Sequence, residues 1–264
     1  MKNKPLISIV TVVYNGEEFL EETIKSVVSQ TYQNIEYIII DGASTDGTVD
    51  MIKKYEDKID YWVSEPDKGI YDDMNKGIKL ATGDFVIFMN AGDMFYMPKS
   101  VARCVALMSD ETKSYFGRAK INSKKTTWLY PNENYHEENI ETFLKNALPN
   151  HQAMFFPKSF YKTYPYNLKY KVGSDSDYKF QAQKECGLLF IDEIVGVFAL
   201  GGVSSEFQSF KLTKQILHDS WHISLKHRGV VYALKRECKI VTKYMIHLLF
   251  GNGFLKHILQ KIRK

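Results

Sequence analysis

Two short segments of the chain hold carboxylates in surroundings that suit ligand chemistry. The first, Asp41-Gly42-Ala43-Ser44-Thr45-Asp46-Gly47-Thr48, follows an apolar run and puts a carboxylate at a strand end, with a turn rich in glycine and hydroxyls behind it. A carboxylate there can accept hydrogen bonds from the base or ribose of a nucleotide. The plainer reading is a turn whose Asp and Ser cap the next helix. The second, Asn90-Ala91-Gly92-Asp93, follows the apolar run Phe85 to Met89. A divalent cation on a diphosphate needs only one or two protein carboxylates, because phosphate oxygens and water complete its shell. Asp93 suits that task, and a tight turn built on Asn90 and Gly92 would suit the same residues. Later in the chain, Asp175 and Asp177 open a helix-like stretch, where the macrodipole favours acids in any case. His151 stands just before an apolar strand, a setting in which a lone histidine is more often structural.

These residues need elements to hold them. Leu6 to Val13 is a β-branched apolar strand, followed by the turn Tyr14-Asn15-Gly16 and a helical stretch from Glu17 to Gln30. Ile35 to Ile40 repeats the strand and Val49 to Tyr55 the helix; Tyr61 to Ser64, Ile70 to Leu80 and Phe85 to Met89 then read as strand, helix and strand. Strands joined by crossover helices imply a mostly parallel sheet covered on both faces. Ligands of such sheets bind at the carboxyl ends of the strands, where the polar clusters fall. The second half is less regular. Strands are expected near Ser114 to Lys120, Ala153 to Phe156 and Leu188 to Val197, with helices near Lys99 to Met108, Glu138 to Lys145 and Asp175 to Glu185, and further helices from about Phe207.

Composition sets the outer limits. With 264 residues, 44% of them hydrophobic and 25% charged, the chain can bury a substantial core. Disorder and fibrous folds are excluded. Three widely spaced cysteines form neither a disulfide framework nor a zinc site and fit a reducing, cytoplasmic compartment. The N-terminus shows no secretion signal, and no stretch has the ~18 apolar residues of a membrane span. The net charge of +4 conceals a split: residues 226–264 hold ten Lys or Arg against one acid, Glu237, which leaves the rest of the chain net acidic. In this tail the bases alternate with large apolar residues at helical spacing. That pattern fits a helix lying on an anionic membrane surface, and equally a helix pair packed on the domain with solvated lysines. Nucleic acid is not an expected partner, since no recognition motif accompanies the charge.

The ordered run "ISIVTVVYNGEEFLEETIKSVVSQTYQNIEYIIIDGASTDGT", then "EPDKGIYDDMNKGIKLATGDFVIFMNAGD", resembles the family 2 glycosyltransferases over roughly residues 5 to 95, in particular the bacterial polysaccharide-assembly members. "NHQAMFF", "VGSDSDYKF" and "GGVSS" look like the acceptor-side motifs of the same group. The resemblance implies a GT-A fold, an α/β architecture with a Rossmann-like, mostly parallel central sheet, helices on both faces, and C-terminal helices. It divides the chain into a nucleotide-sugar-binding half over 1–98, an acceptor-binding half of the same domain over 99–206, and a basic amphipathic helical region over 207–264.

The implied activity is inverting transfer of a sugar from a nucleotide diphosphate donor, UDP-linked by preference, to a glycan or lipid-linked glycan acceptor. Position by position, Thr11, Tyr14 and Asn15 would line the nucleotide pocket and Asp41 would hold the base or ribose. Asp67, Lys68, Gly69 and Asn75 match the segment beneath the nucleotide and diphosphate. Asp93 matches the metal-bearing end of an Asp-x-Asp signature for Mn²⁺ or Mg²⁺. The sequence departs from that signature with Asn90 and Gly92, each where an aspartate is common. Asp177 matches the catalytic base, with Asp175 the choice if the register shifts, and His151 would orient the acceptor or touch the diphosphate. The reduced signature keeps open an alternative, a nucleotide-sugar-binding protein with weak or no catalysis. A dinucleotide oxidoreductase is disfavoured, because Glu17 and Glu18 at the first helix start would repel a pyrophosphate. The expected setting is cytoplasmic, or peripheral at the inner face of the cell membrane.

Overall fold

The computed structural model describes residues 4–123, 126–199 and 210–262. Its first half alternates as the apolar pattern requires: β1 (Ile7–Val13), α1 (Glu17–Val28), β2 (Ile35–Asp41), α2 (Thr48–Lys54), β3 (Tyr61–Ser64), α3 (Ile70–Leu80) and β4 (Phe85–Phe88). β5 (Met94–Phe95), α4 (Ser100–Leu107), β6 (Ser114–Asn122), β7 (Thr127–Tyr130), α5 (Ile140–Asn146), β8 (Met154–Pro157), α6 (Lys158–Tyr161), α7 (Ser174–Glu185) and β9 (Leu188–Ala199) follow. α8 (Phe210–Arg228) and α9 (Val230–Ile262) complete the described chain.

The strands form one sheet in the order β3-β2-β1-β4-β8-β6-β9-β5, with β7 paired to β6. β3, β2, β1 and β4 are parallel, as the crossover helices require. Beyond β4 the sheet is mixed. β8 runs antiparallel to both β4 and β6, while β6 and β9 are parallel with a register shift between Phe116 and Arg118. The short β5 and β7, which the periodicity did not single out, pair antiparallel with β9 and β6.

Every residue of β1 is buried, which explains why it reads as a continuous apolar run. Its side chains still alternate between faces. Ile7, Ile9 and Val13 join one core with Leu20, Ile24 and Val27 of α1. Val10 and Val12 join the other with Met74 and Ile78 of α3. Each such side chain, moved from water to a packed interior, stabilises the fold by about 1.5–3 kcal/mol. The approach of α3 is close enough that a Cβ on Gly77 would collide with Val10.

The described residues form two compact units, one of residues 4–167 with 178–199, the other of residues 168–177 with the helices from Phe210 onward. In the second unit α8 packs against α9. Val230, Val231, Leu234, Val241, Met245 and Leu248 of α9 are exposed and fall within about 100° of one another around the helix, one stripe, with Lys235 and Lys239 exposed beside it. Among the described residues no helix is long and apolar enough to cross a membrane.

Candidate active site

The turns after β1 and β2 are stitched together by their own polar residues. Asn15, at φ 47°, receives the Thr45 N–H on its Oδ1 at 2.9 Å and donates its own N–H to Ser44 Oγ at 2.7 Å. Gly16 N–H donates to Thr48 Oγ1 at 2.9 Å. Asp46 accepts from Glu17 N and Thr48 N, so it serves the first turns of α1 and α2 together, while Glu17 accepts from Gly47 N at 3.0 Å. The helix-capping reading therefore holds for Asp46. Asp41 does something else.

Asp41 closes β2 and is wholly buried. Its Oδ2 accepts from Ser44 N at 3.0 Å and from Ser64 Oγ at 2.5 Å, and its Oδ1 from Ser44 Oγ at 2.5 Å. Ser64 reaches it because β3 pairs in register with β2, Ser64 opposite Asp41. Three donors hold the carboxylate in one orientation. Gly42 follows without a side chain because a Cβ there would run into the Asp67 carboxylate and press on Asp73. Asp67 in turn accepts the Gly69 N–H, where φ is 113° and glycine is at home.

Asp73, on α3, is the residue the sequence reading overlooked. It is 2% exposed and shares a hydrogen bond with Asp67. Burial first, and the Asp67 carboxylate second, push its carboxyl up to about 8, against the opposing pull of Lys76. Lys76 Nζ lies 3.1 Å from Asp73 and 3.2 Å from Glu65. The repeated acids of Tyr71-Asp72-Asp73 were the available signal. Lys68 is exposed and donates its backbone N–H to Asp72.

On the other side of β1, the loop after β4 carries Asn90 to Asp93. Ala91 N–H bonds to Val12 O and Gly42 N–H to Val13 O, so this loop and Asp41 flank the same end of β1. Thr23 of α1 pins the loop, accepting from Gly92 N at 3.0 Å and donating to Asp93 O at 2.8 Å. Gly92 sits at φ 95°, a backbone state that explains glycine where an acid would be strained. Asp93 is 6% exposed, and burial holds its carboxyl well above the usual carboxylate range despite bonds from Gln152 and the Ala199 backbone. Asn90 Oδ1 is buried and has no hydrogen-bond partner among the described residues.

Other expected site residues lie in varied settings. Tyr14 is 63% exposed at the edge. Thr11 is wholly buried, its hydroxyl donating to Met89 O at 2.7 Å and lying 3.1 Å from Tyr37 Oη. Asn75 pairs through both amide atoms with the Tyr166 backbone, at 2.8 and 3.0 Å. His151 is buried, with Nε2 2.6 Å from Tyr166 Oη and its ring against Phe88 and Phe156. Tyr166 thus joins Asn75 to His151. Gly201, Gly202, Ser204 and Ser205, read as a loop closing on the donor, lie outside the described residues.

Asp175 and Asp177 belong to the first turn of α7 within the second unit. Asp175 is half-buried. Asp177 is 6% exposed and receives Lys226 Nζ at 2.8 and 3.2 Å and His227 Nε2 at 2.6 Å. Burial alone would raise its carboxyl, but His227 and Lys226 outweigh that and hold it below the usual range.

With this geometry in place, comparison decides the family. The model "Glycosyl transferase family 2" matches residues 8–168, from β1 through the aromatic cluster around Tyr166. The chain is a family 2 glycosyltransferase. This glycosyltransferase is 33% identical over 214 residues to an uncharacterized glycosyltransferase of Mycobacterium tuberculosis, covering 78% of this chain and 79% of that one. It is 26% identical over 249 residues to a PGL/p-HBAD biosynthesis glycosyltransferase of Mycobacterium bovis, covering 92% and 94%. Among solved structures it resembles Staphylococcus aureus TarS residues 1–349 in complex with UDP-GlcNAc, with a TM-score of 0.65, 16% identity, and coverage of 94% of this chain and 75% of that one. It spans 44% of the longer TarS chain. The mannosyltransferase PcManGT from Pyrobaculum calidifontis, in complex with GDP-Man and Mn²⁺, aligns with a TM-score of 0.59, 16% identity and coverage of 98% and 80%. The fold of this glycosyltransferase is thus GT-A, a nucleotide-sugar-binding fold.

Proposed function

We propose that this glycosyltransferase takes a UDP-linked sugar and transfers it, with inversion at the anomeric carbon, to a hydroxyl of a bacterial surface glycan or its lipid-linked precursor. The observation that carries this reading is the pair of buried carboxylates, Asp41 and Asp93, flanking one end of β1 at the carboxyl edge of the parallel strands. In this reading Asp41, fixed by Ser44 and Ser64, accepts from the nucleoside. Tyr14 and Asn15 line the nucleoside side, with Thr11 supporting them from within. Asp67, Lys68 and Gly69 form the wall beside it, and Asn75 anchors that wall through Tyr166. His151 positions the acceptor side through the same tyrosine.

A divalent cation fits the donor set at the other carboxylate. Asp93 is a buried carboxyl short of compensating charge, and Asn90 Oδ1 is a buried oxygen without a partner among the described residues. Both are hard oxygen donors of the kind Mn²⁺ and Mg²⁺ prefer, with phosphate and water to fill the remaining positions. Bound there, the cation would neutralise the charge that develops on the leaving diphosphate.

The chain's own residues supply the rest. Asp177, ionised at neutral pH, accepts the proton of the attacking hydroxyl as the new C–O bond forms and the bond from the anomeric carbon to the diphosphate breaks. Asp175 is the neighbouring acid of the same turn. A thermal-shift panel of UDP, GDP, CMP and TDP sugars with and without Mn²⁺ tests the donor reading. Stabilisation by a UDP-sugar, enlarged by Mn²⁺ and lost in Asp41→Asn, is expected; no response to any of them sinks it. Hydrolysis of the stabilising sugar, lost in Asp177→Asn, separates an enzyme from a protein that only binds.

The apolar stripe of α9, flanked by Lys235 and Lys239, supports a second part of the reading. The protein lies peripherally on an anionic membrane at its cytoplasmic face, where a lipid-linked acceptor is presented. Replacing Leu234, Val241 and Met245 with Gln should abolish sedimentation with phosphatidylglycerol vesicles, and unchanged sedimentation rejects this part.

A further inference from the structure

α8 presents one face to the segment that leads into α7, and the contacts repeat along it. Asp219 accepts the backbone N–H groups of Val172 and Gly173, at 2.9 and 3.3 Å, on a single oxygen. One turn later Ile223, itself buried, packs where a Cβ on Gly173 would come within 2.9 Å. A further turn on, Lys226 and His227 converge on the Asp177 carboxylate. Residues 219, 223 and 226–227 follow the i, i+4, i+7 spacing of one helical face. That face therefore holds the backbone before α7 at one point and the side chain of Asp177 at another.

The division of contacts between the two oxygens is informative. Among the described residues, Oδ1 receives both His227 Nε2 at 2.6 Å and Lys226 Nζ at 2.8 Å, while Oδ2 receives only the longer Lys226 contact at 3.2 Å. The His227 side chain is 7% exposed and that of Lys226 46%. A buried carboxylate so paired costs desolvation that a purely structural site would avoid with apolar packing. What the pairing achieves is a fixed rotamer, a retained negative charge, and one oxygen left less occupied.

We propose that Lys226 and His227 are positioning residues for Asp177, fixing the carboxylate through Oδ1 so that Oδ2 takes the proton of the acceptor hydroxyl. This rests on Asp177 as the base. In the transfer step the acceptor O–H bond breaks and its proton passes to Oδ2. The acceptor oxygen bonds to the anomeric carbon, and the electron pair of the breaking bond leaves with the diphosphate. Among the described residues, the titratable groups facing Asp177 are Lys226 and His227 of α8 and, before α7, Tyr170, whose phenol is raised first by burial and then by the charges of Asp177 and Asp219.

The test is steady-state hydrolysis of the UDP-sugar that gives the largest thermal shift, measured with Mn²⁺ from pH 3 to 8.5. The proteins compared are wild type, His227→Ala, His227→Gln, Lys226→Met and Asp177→Asn, with UDP affinity recorded for each. Removing either partner leaves burial acting on Asp177 with less opposition, so the acid limb of kcat should move up by about one pH unit, the loss against wild type growing toward the acid end of the range and approaching about tenfold only where both carboxyls are largely protonated. KM for the donor should stay unchanged, and His227→Gln, which restores an N–H donor, should recover most of kcat. An unmoved acid limb with kcat intact in His227→Ala and Lys226→Met, while Asp177→Asn falls by about 10²-fold or more, overturns the positioning role and leaves the base standing. Turnover retained in Asp177→Asn overturns the base and this inference with it. If His227→Ala fails to fold, Lys226→Met, altered at a half-exposed side chain, decides the matter by the same readouts.

Discussion

Replacing Asp73 with Asn should stabilise the protein, and by an amount that grows with pH. The folded structure holds the Asp73 carboxyl at about 8 against an ordinary value of 3.8, burial being the largest cause and the hydrogen-bonded Asp67 the next. An acid raised in this way supports the fold fully only below about pH 4, where it is protonated in both states. The contribution is lost as pH rises, at up to ~1.4 kcal/mol per unit, until about pH 8. Between pH 5 and pH 7.5 the loss amounts to about 3 kcal/mol. Asn reproduces the protonated carboxyl: its Nδ2 can donate to Asp67 and its Oδ1 can accept from Lys76, which lies 3.1 Å from Asp73. It has no proton to lose. Thermal unfolding of both proteins at pH 5 and pH 7.5 measures the difference, with an expected widening of the melting-temperature gap by roughly 6 °C or more for a chain of this size. A gap that stays constant with pH, or a variant less stable than wild type at pH 7.5, refutes the account of Asp73 as a carboxyl raised by burial and by Asp67.

Three further outcomes follow from single contacts. Gly77→Ala places a Cβ into Val10, where α3 meets β1, and should cost about 1–3 kcal/mol in urea unfolding, as overpacked cores do. Ala43→Gly should stabilise by a few tenths to about 1 kcal/mol, because Ala43 sits at φ 60°, where a Cβ is strained and glycine is not; a loss of stability in the same assay counts against that strain. Asp41→Asn removes a charge that three donors hold in place, and UDP affinity measured by calorimetry should fall by about 10- to 100-fold, the value of a hydrogen bond to a charged group.

The first half of the fold could be read from the chain because each strand there is buried on both faces and each crossover helix has one apolar side. Ile7 to Val13 leaves no other interpretation once Glu17 to Val28 follows it. The second half could not be read as well. β5 has two residues and β7 four, too short for any period to appear, and the antiparallel pairing of β8 depends on partners more than 30 residues away. At the site, a carboxylate at a strand end is visible in sequence as Asp41 or Asp93. Its partners are not. Ser64 reaches Asp41 only through strand register, Asp73 meets Asp67 only because Gly42 has no side chain, and His227 meets Asp177 from 50 residues away.

The two carboxylates beside β1 differ in a way that bears on their separate tasks. Asp41 is held within the protein by hydrogen bonds from Ser44 and Ser64, so on the proposed reading a nucleoside binding there would cost little reorganisation. Asp93 is also buried but short of compensating charge, and the nearby Asn90 Oδ1 lacks a partner among the described residues. Buried polar atoms left in this state normally cost 1–3 kcal/mol each, roughly, and persist where something else completes them. The Asp41 side is therefore finished in the protein alone, which is what the proposed nucleoside contact would need. The other is short of positive charge, as suits a donor that brings its diphosphate together with a cation. If Mn²⁺ and UDP together raise the melting temperature of wild type but not of Asp93→Asn, that asymmetry is the reason; equal stabilisation of the two proteins would show that the Asp93 side is complete without the cation.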